Sequence, residues 1–434
     1  MNIQELYQVF EQHPFVQTDT RKLQQGEIFF ALKGGNFNGN LFASAALEKG
    51  AIAVVVDEDP GFTDSRIIQT NNVLKTLQDL AQYHRRQLNI PVLAITGSNG
   101  KTTTKELIHA VLSSHYKTYT TEGNLNNHIG IPLTLLKIKK DAEIAVVEMG
   151  ANHQREIAGY CDYVLPTHAL INNVGKAHLE GFGGLEGVKK GKGELYDFIR
   201  SSGGTVFINI DLDYLKEMSV GIKNLYTYGN ENADVTGLMI RNEPYLEIRI
   251  NHPESIGNIQ TQLVGNYNTP NVLAAVAVGT YFNVPTDKIR SSIEHYQPSN
   301  SRSQLIKWGN NEIILDAYNA NPTSMKAAIE NFAARSGQDK VLMLGAMAEL
   351  GEESEEEHRQ IIKLIRKYNW KAVVLVGKDF SRLNESFTCF QDSEEAAKWF
   401  ENQFFEHAAI LIKGSRSSKM EKIIEQSIGN KKQS

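Results

Sequence analysis

The sequence predicts an α/β protein of three domains. The first is small, the central one carries a mostly parallel sheet around a phosphate-binding loop, and the C-terminal one is Rossmann-like. Three observations predict this. A chain of 434 residues suits about three domains. Short apolar, β-branched runs alternate with stretches of helical periodicity, the pattern of parallel sheets covered by helices. One such run, IPVLAIT (90–96), feeds straight into GSNGKTT, and a strand ending in a glycine turn before a helix is an anion site.

The first block spans 1–89. GEIFFAL (26–32) reads as a strand, GGNFNGN (34–40) as a turn-rich loop and AIAVVVDE (51–58) as a second strand. VLKTLQDLAQYHRRQL (73–88) repeats apolar residues at helical intervals. The second block, 90–296, adds strands at EIAVVEMG (143–150) and THALINNVG (167–175). YLEIRIN (245–251) is an added β piece, and NVLAAVAVGTYF (271–282) an alanine-rich helix. The third block, 297–434, alternates strands NEIILDAY, KVLMLGA, AVVLVGK and AAILIKGS with helices. Its acidic run GEESEEEHRQ (351–360) reads as a solvated helix start, and the tail GNKKQS as frayed.

The bulk numbers exclude several classes. A net charge of −5 gives no footprint for nucleic acid. No apolar run approaches the length of a membrane span, and the N-terminus lacks the pattern of a secretory signal. The two cysteines, Cys161 and Cys389, form neither a C-x-x-C pair nor a disulfide framework. A cytoplasmic protein is expected.

The loop departs from the common phosphate-loop spacing. Gly100-Lys101-Thr102 is in place, but Ile95 stands where the first glycine belongs, and Gly97 comes later. Lys101 suits terminal phosphates and the Thr102 hydroxyl suits Mg²⁺. Glu148 ends an apolar strand where α/β folds place ligands. His178 lies in the polar stretch NVGKAHLEGFGG. Asn124, Asn126 and Asn127 are either turn formers or amide donors to a polar ligand.

TGSNGKTT, EGNLNN, VVEMGA, NNVGKAHLEGF, KGE, GNYNTPN, DAYNANPTSM, LGAMAELG and KGSR occur in this order. Together they resemble the Mur ligases of peptidoglycan synthesis, which share the short phosphate loop. DAYNANPTSM and LGAMAELGEESEEEH point within that family to the branch that adds a terminal dipeptide. The resemblance implies the three-domain Mur ligase architecture, with a UDP-sugar-binding N-terminal domain. It implies a monomeric ATP- and Mg²⁺-dependent ligase that joins D-alanyl-D-alanine to UDP-N-acetylmuramoyl-tripeptide through an acyl phosphate. Other readings are a folylpolyglutamate synthase-like amide ligase and a non-catalytic nucleotide-binding regulator.

By that resemblance Gly97, Ser98, Asn99, Gly100, Lys101, Thr102 and Thr103 hold ATP phosphates. Thr102, Glu148, His178 and Lys192 serve the metal, Lys192 as a carbamylated lysine. Gly191 and Gly193 flank Lys192 and weaken the local helix. Asn268 and Asn271 match a pair near the adenine, and Arg302 and Asp316 reach ATP from the third domain. Lys101, Lys192, His178 and Glu148 are the catalytic set. Thr20 and Arg21 fall in the segment resembling the uridine-nucleotide site. Asn319, Asn321, Lys413, Ser415 and Arg416 look like the dipeptide side. The chain departs from the family at Tyr267, at Ala346 and at Asn38-Gly39-Asn40. ATP ligands on two domains imply that catalysis needs the third to swing onto the second.

Overall fold

Strand Val92–Thr96 is buried at every residue because both of its faces are covered. Leu93 and Ile95 point to one core, with Leu107, Val111 and the alanine-rich helix Thr269–Tyr281. Val92 and Ala94 point to the other, with Leu77, Ile157 and Leu195. Period-two alternation puts apolar side chains on both faces, which explains the unbroken apolar run. The helix Thr269–Tyr281 is buried from Asn271 to Gly279, as its alanine content permits.

The computed structural model describes residues 2–299, 301–337, 339–383 and 386–425, so the tail at 429–434 lies outside the described residues. Among these residues the central sheet has nine strands. Val92–Thr96 lies between His168–Ile171 and Ile144–Glu148, both parallel to it. Beyond His168–Ile171 come Thr205–Asn209, Asn224–Gly229 and Val235–Arg241, also parallel. Glu247–His252 and Asn258–Gln260 extend that edge antiparallel, which is the added β piece. A smaller parallel sheet orders Val16–Gln17, Ile28–Phe30, Ala53–Val56 and Ile67–Gln69. The third sheet orders Gln304–Trp308, Asn311–Asp316, Ala409–Lys413, Lys340–Gly345, Ala372–Val376 and Thr388–Phe390, antiparallel only at its first pair.

Three local expectations are corrected. The segment 34–40 is not only a loop: Lys33–Gly34 pairs antiparallel with Phe37–Asn38. The glycines flanking Lys192 do not interrupt the helix, which runs unbroken over Leu185–Ser202. Gly191 is there for packing, because a Cβ on it would lie 2.4 Å from Cε1 of Phe182. The acidic run opens a helix, Ser354–Ile365, but it is not wholly solvated. Glu357 and His358 are buried in it.

His168, at the start of its strand, is pressed among Phe207, Tyr281 and Phe282, with ring centroids 5.1–6.0 Å away. Burial pushes its imidazolium down to about 4. The folded-state value thus lies below the unfolded one near 6.5. Stability from the neutral ring is complete above that value and falls as pH drops toward 4, because only the unfolded chain takes up the proton. His168→Phe is expected to remove about 2–3 kcal/mol of the acid-induced loss between pH 7.5 and 4.5. Urea unfolding of both proteins at the two pH values checks this.

Candidate active site

The loop after Val92–Thr96 turns on Gly97 (φ 146°) and Gly100 (φ 79°), backbone angles that side chains avoid. Helix Lys101–Ser113 then starts without a side-chain cap, so its first N–H groups remain for an anion. The loop is tied to the end of the neighbouring strand. Ser98 N donates to Asn173 O (3.0 Å) and Ser98 Oγ to Gly175 O (3.0 Å). Asn99 N donates to Asn173 Oδ1 at 2.9 Å. Lys101 Nζ folds back onto Gly97 O at 2.7 Å. Burial pushes its ammonium down, and Glu148 opposes that. Thr103, on the first helical turn, is half-buried.

Glu148 is 1% exposed at the end of the other neighbouring strand. Its Oε1 accepts from Thr102 Oγ1 (3.2 Å) and Asn126 Nδ2 (2.7 Å). Its Oε2 is buried with no partner. A buried carboxylate with a spare oxygen beside a threonine hydroxyl is a donor set that fits a hard divalent cation. Asn127 instead caps the turn before Gly130–Leu136, accepting from Ile129 N and Gly130 N, and Asn124 is exposed.

Lys192 is 1% exposed. Its Nζ donates to Ala151 O at 3.1 Å and lies 5.1 Å from the Phe182 ring centroid. Burial, then Lys101, pushes its ammonium well down, against Glu156 and Glu194. His178 has a left-handed backbone (φ 54°), and its Nδ1 lies 2.5 Å from Oε2 of Glu349, itself left-handed (φ 61°). So Thr102 and Glu148 meet directly, whereas His178 meets a carboxylate from the third sheet unit. Among the described residues no three His, Cys, Asp or Glu side chains gather.

The third unit presents Arg302, stacked 3.5 Å from the Tyr318 ring centroid, with Nε buried and unpartnered. Asp316 accepts from Lys413 Nζ (2.5 Å) and Ser303 N (3.2 Å). Lys413, read from sequence as part of the dipeptide side, is 2% exposed and paired with Asp316. Asn321 caps helix Pro322–Ala334. Ser415 Oγ donates to Ala346 O (2.5 Å), and Asn319 Oδ1 accepts from Ala320 N. Arg416 is exposed beside Glu421. Asn268 and Asn271 are buried, the amide of Asn271 donating to Asn268 Oδ1 at 2.9 Å. Tyr267 bonds Ser303 at 3.0 Å. In the first unit Arg21 is exposed and held by Asp19, and Thr20 O accepts from Lys49 Nζ.

The two larger units touch at the site. Asn321 Nδ2 donates to Asn99 Oδ1 at 2.7 Å, Lys176 N to Thr323 Oγ1 at 3.0 Å and Glu180 N to Glu349 O at 3.3 Å. Lys176 also pairs with Glu357. Sequence reasoning missed Thr104, Asn172, Asn173, Lys176 and Glu349. For Asn172, Asn173 and Lys176 the one signal was a polar cluster, NNVGK, directly after an apolar strand; Thr104 and Glu349 lie outside it. At the far end of the third sheet, Glu243 accepts from Ser336 N (2.8 Å) and Ser336 Oγ. Against burial, these bonds and then Arg335 and Lys340 hold its carboxyl low.

Asn321→Ala combined with Lys176→Ala should loosen the front contact. The cap loss alone costs about 1 kcal/mol. Small-angle scattering is expected to give a larger radius of gyration than wild type, and an unchanged value would show that these bonds do not hold the units together.

Three family models match in register with the three sheets. They are the Mur ligase family catalytic domain over residues 13–95, the Mur ligase middle domain over 95–279 and the Mur ligase glutamate ligase domain over 301–416. The chain is 36% identical over 419 residues to the UDP-N-acetylmuramoyl-tripeptide--D-alanyl-D-alanine ligase of Escherichia coli K12, covering 94% of this chain and 92% of that one. It is 34% identical to the Bacillus subtilis protein of the same name, with the same coverage. A crystal structure of MurF from Acinetobacter baumannii superposes with a TM-score of 0.86 at 31% identity, covering 95% and 93% of the two chains. MurF ligase from Thermotoga maritima in complex with ADP also gives 0.86, at 26% identity and with 95% and 96% covered.

Proposed function

The chain belongs to the Mur ligase family, and from that premise we propose that it joins D-alanyl-D-alanine to UDP-N-acetylmuramoyl-tripeptide at the expense of ATP. The observation that carries this reading is the phosphate loop backed by buried Glu148 and bridged by Asn99 to Asn321 of the third unit. A nucleotide there is enclosed by two units, and the acceptor arrives on the third.

A carboxylate resists amide formation because its leaving group is oxide. Transfer of the terminal phosphoryl of ATP to the tripeptide carboxylate gives an acyl phosphate. The dipeptide amine, having lost a proton, attacks the acyl carbon. The C–N bond forms, the C–O bond to phosphate breaks, and phosphate carries away the electron pair. The protein's share is positioning and charge stabilisation. Loop N–H groups and Lys101 hold the phosphates, with Arg302 and Asp316 on the facing unit. Mg²⁺, when bound, neutralises phosphate charge. Thr102 and Glu148 would hold it, with His178 and Lys192 beside the acyl end. Burial, and then Lys101, push the Lys192 ammonium toward the neutral amine, the form that adds CO₂, which supports carbamylation there.

Thr20 and Arg21 lie on the unit that receives the uridine nucleotide. Asn319, Asn321, Ser415 and Arg416 lie on the acceptor side, and Lys413 orients Asp316 between them. The working division is 1–89 for the UDP-sugar, 90–296 for ATP and 297–434 for the dipeptide. No helix among the described residues is long and apolar enough to cross a membrane, which is compatible with a cytoplasmic monomer.

Phosphate release from ATP with Mg²⁺, the UDP-tripeptide and D-alanyl-D-alanine is expected to need every component and to yield a UDP-pentapeptide by mass. ATP binding without turnover would favour a regulator instead. Lys192→Arg is expected to lower kcat by about a hundredfold or more while ADP still binds. Wild-type protein in ¹³C-bicarbonate should show a carbamate resonance that this variant lacks.

A further inference from the structure

Asn271 is bonded at both ends of its amide. Its Nδ2 is taken by Asn268 Oδ1 at 2.9 Å. Its Oδ1 accepts from Thr104 Oγ1 at 3.0 Å and from Asn172 Nδ2 at 3.1 Å. Asn172 Nδ2 also donates to Thr104 Oγ1 at 2.6 Å. These three side chains come from three elements. Thr104 is on the loop helix, Asn172 ends the neighbouring strand, and Asn271 opens helix Thr269–Tyr281. All are buried: Thr104 at 0%, Asn172 and Asn271 at 5% exposure.

The triangle lies against the glycines of the phosphate loop. A Cβ on Gly100 would stand 2.7 Å from Asn271 Oδ1 and 3.2 Å from Asn172 Nδ2. A Cβ on Gly97 would stand 2.9 Å from Asn172 Cβ. Asn172 N also donates to Thr96 O at 2.9 Å, at the residue before the loop. The loop's two left-handed turns are therefore seated on this buried amide–hydroxyl network. Buried networks of this kind hold their members in one arrangement, here with Asn172 Oδ1 as the one atom left without a partner.

We propose that Thr104, Asn172 and Asn271 are positioning residues that hold the phosphate loop in its anion-binding shape, and that Asn271 acts on the phosphates through the loop. The proposal rests on the ATP reading above and deepens it. The buried, unpartnered Asn172 Oδ1 faces no second donor, so its amide is committed to the triangle through Nδ2.

The test uses the full chain with Mg²⁺ and four probes: ATP, ADP, tripolyphosphate and adenosine. Calorimetry compares wild type with Thr104→Val and Asn172→Leu, which keep volume but remove the bonds. Affinity for ATP, ADP and tripolyphosphate is expected to fall about tenfold, the size of one buried hydrogen bond, with adenosine unchanged. Thr104→Ser restores the hydroxyl and should restore affinity. An equal loss for adenosine would overturn the proposal in favour of base contact. A lower melting temperature with every affinity unchanged would overturn it in favour of packing alone. Should Asn172→Leu not fold, Thr104→Val carries the test. Wild-type protein that binds neither ATP nor ADP would sink the ATP reading itself, a result distinct from any variant's.

Discussion

The site depends on one short turn. Between Thr96 and Lys101 the chain must pass from an extended strand to a helix while keeping its N–H groups inward. Gly97 and Gly100 make that possible at φ angles closed to other residues, and each is packed against neighbours with no room for a methyl group. The sheet order supplies the rest. Because Val92–Thr96 lies between His168–Ile171 and Ile144–Glu148, the adjacent strand ends deliver Asn172 and Asn173 on one side and Glu148 on the other. Parallel strands whose ends lie together make a binding crevice of whatever polar residues follow the apolar run.

The third unit meets this crevice through polar contacts, beside a buried apolar cluster that takes in Leu179 and Phe182 together with Met347 and Leu350. Asn321 is already fixed as a helix cap when it reaches Asn99, and Glu349 holds its carboxylate against His178 from a left-handed backbone. Contacts of this kind are directional but individually weak. Lys413 and Asp316, paired at the ends of adjacent parallel strands, form part of the facing wall.

Much of the α/β order was legible because buried parallel strands must be apolar on both faces. Val92–Thr96, Ile144–Glu148 and Lys340–Gly345 stand out for that reason. Asn224–Gly229 and Thr388–Phe390 did not, since edge or half-covered strands carry mixed residues. The packing reason for Gly191 was not legible, because helix propensity is local and the ring of Phe182 that needs the space is not. The loop and Glu148 were legible from their place after a strand. The partners of Asn271 were not, because Thr104 and Asn172 lie far away in sequence and meet only in the fold.

The bond from Glu243 to Ser336 touches no part of the crevice, yet it joins the same two units at the opposite edge of the third sheet. In any equilibrium between docked and parted units it therefore favours the docked fraction. Apparent affinity scales with that fraction. A change at this remote serine would weaken every ligand held between the units by one common factor and leave their relative preferences intact. Inheritable drift in substrate affinity thus has a route that never passes through a substrate contact.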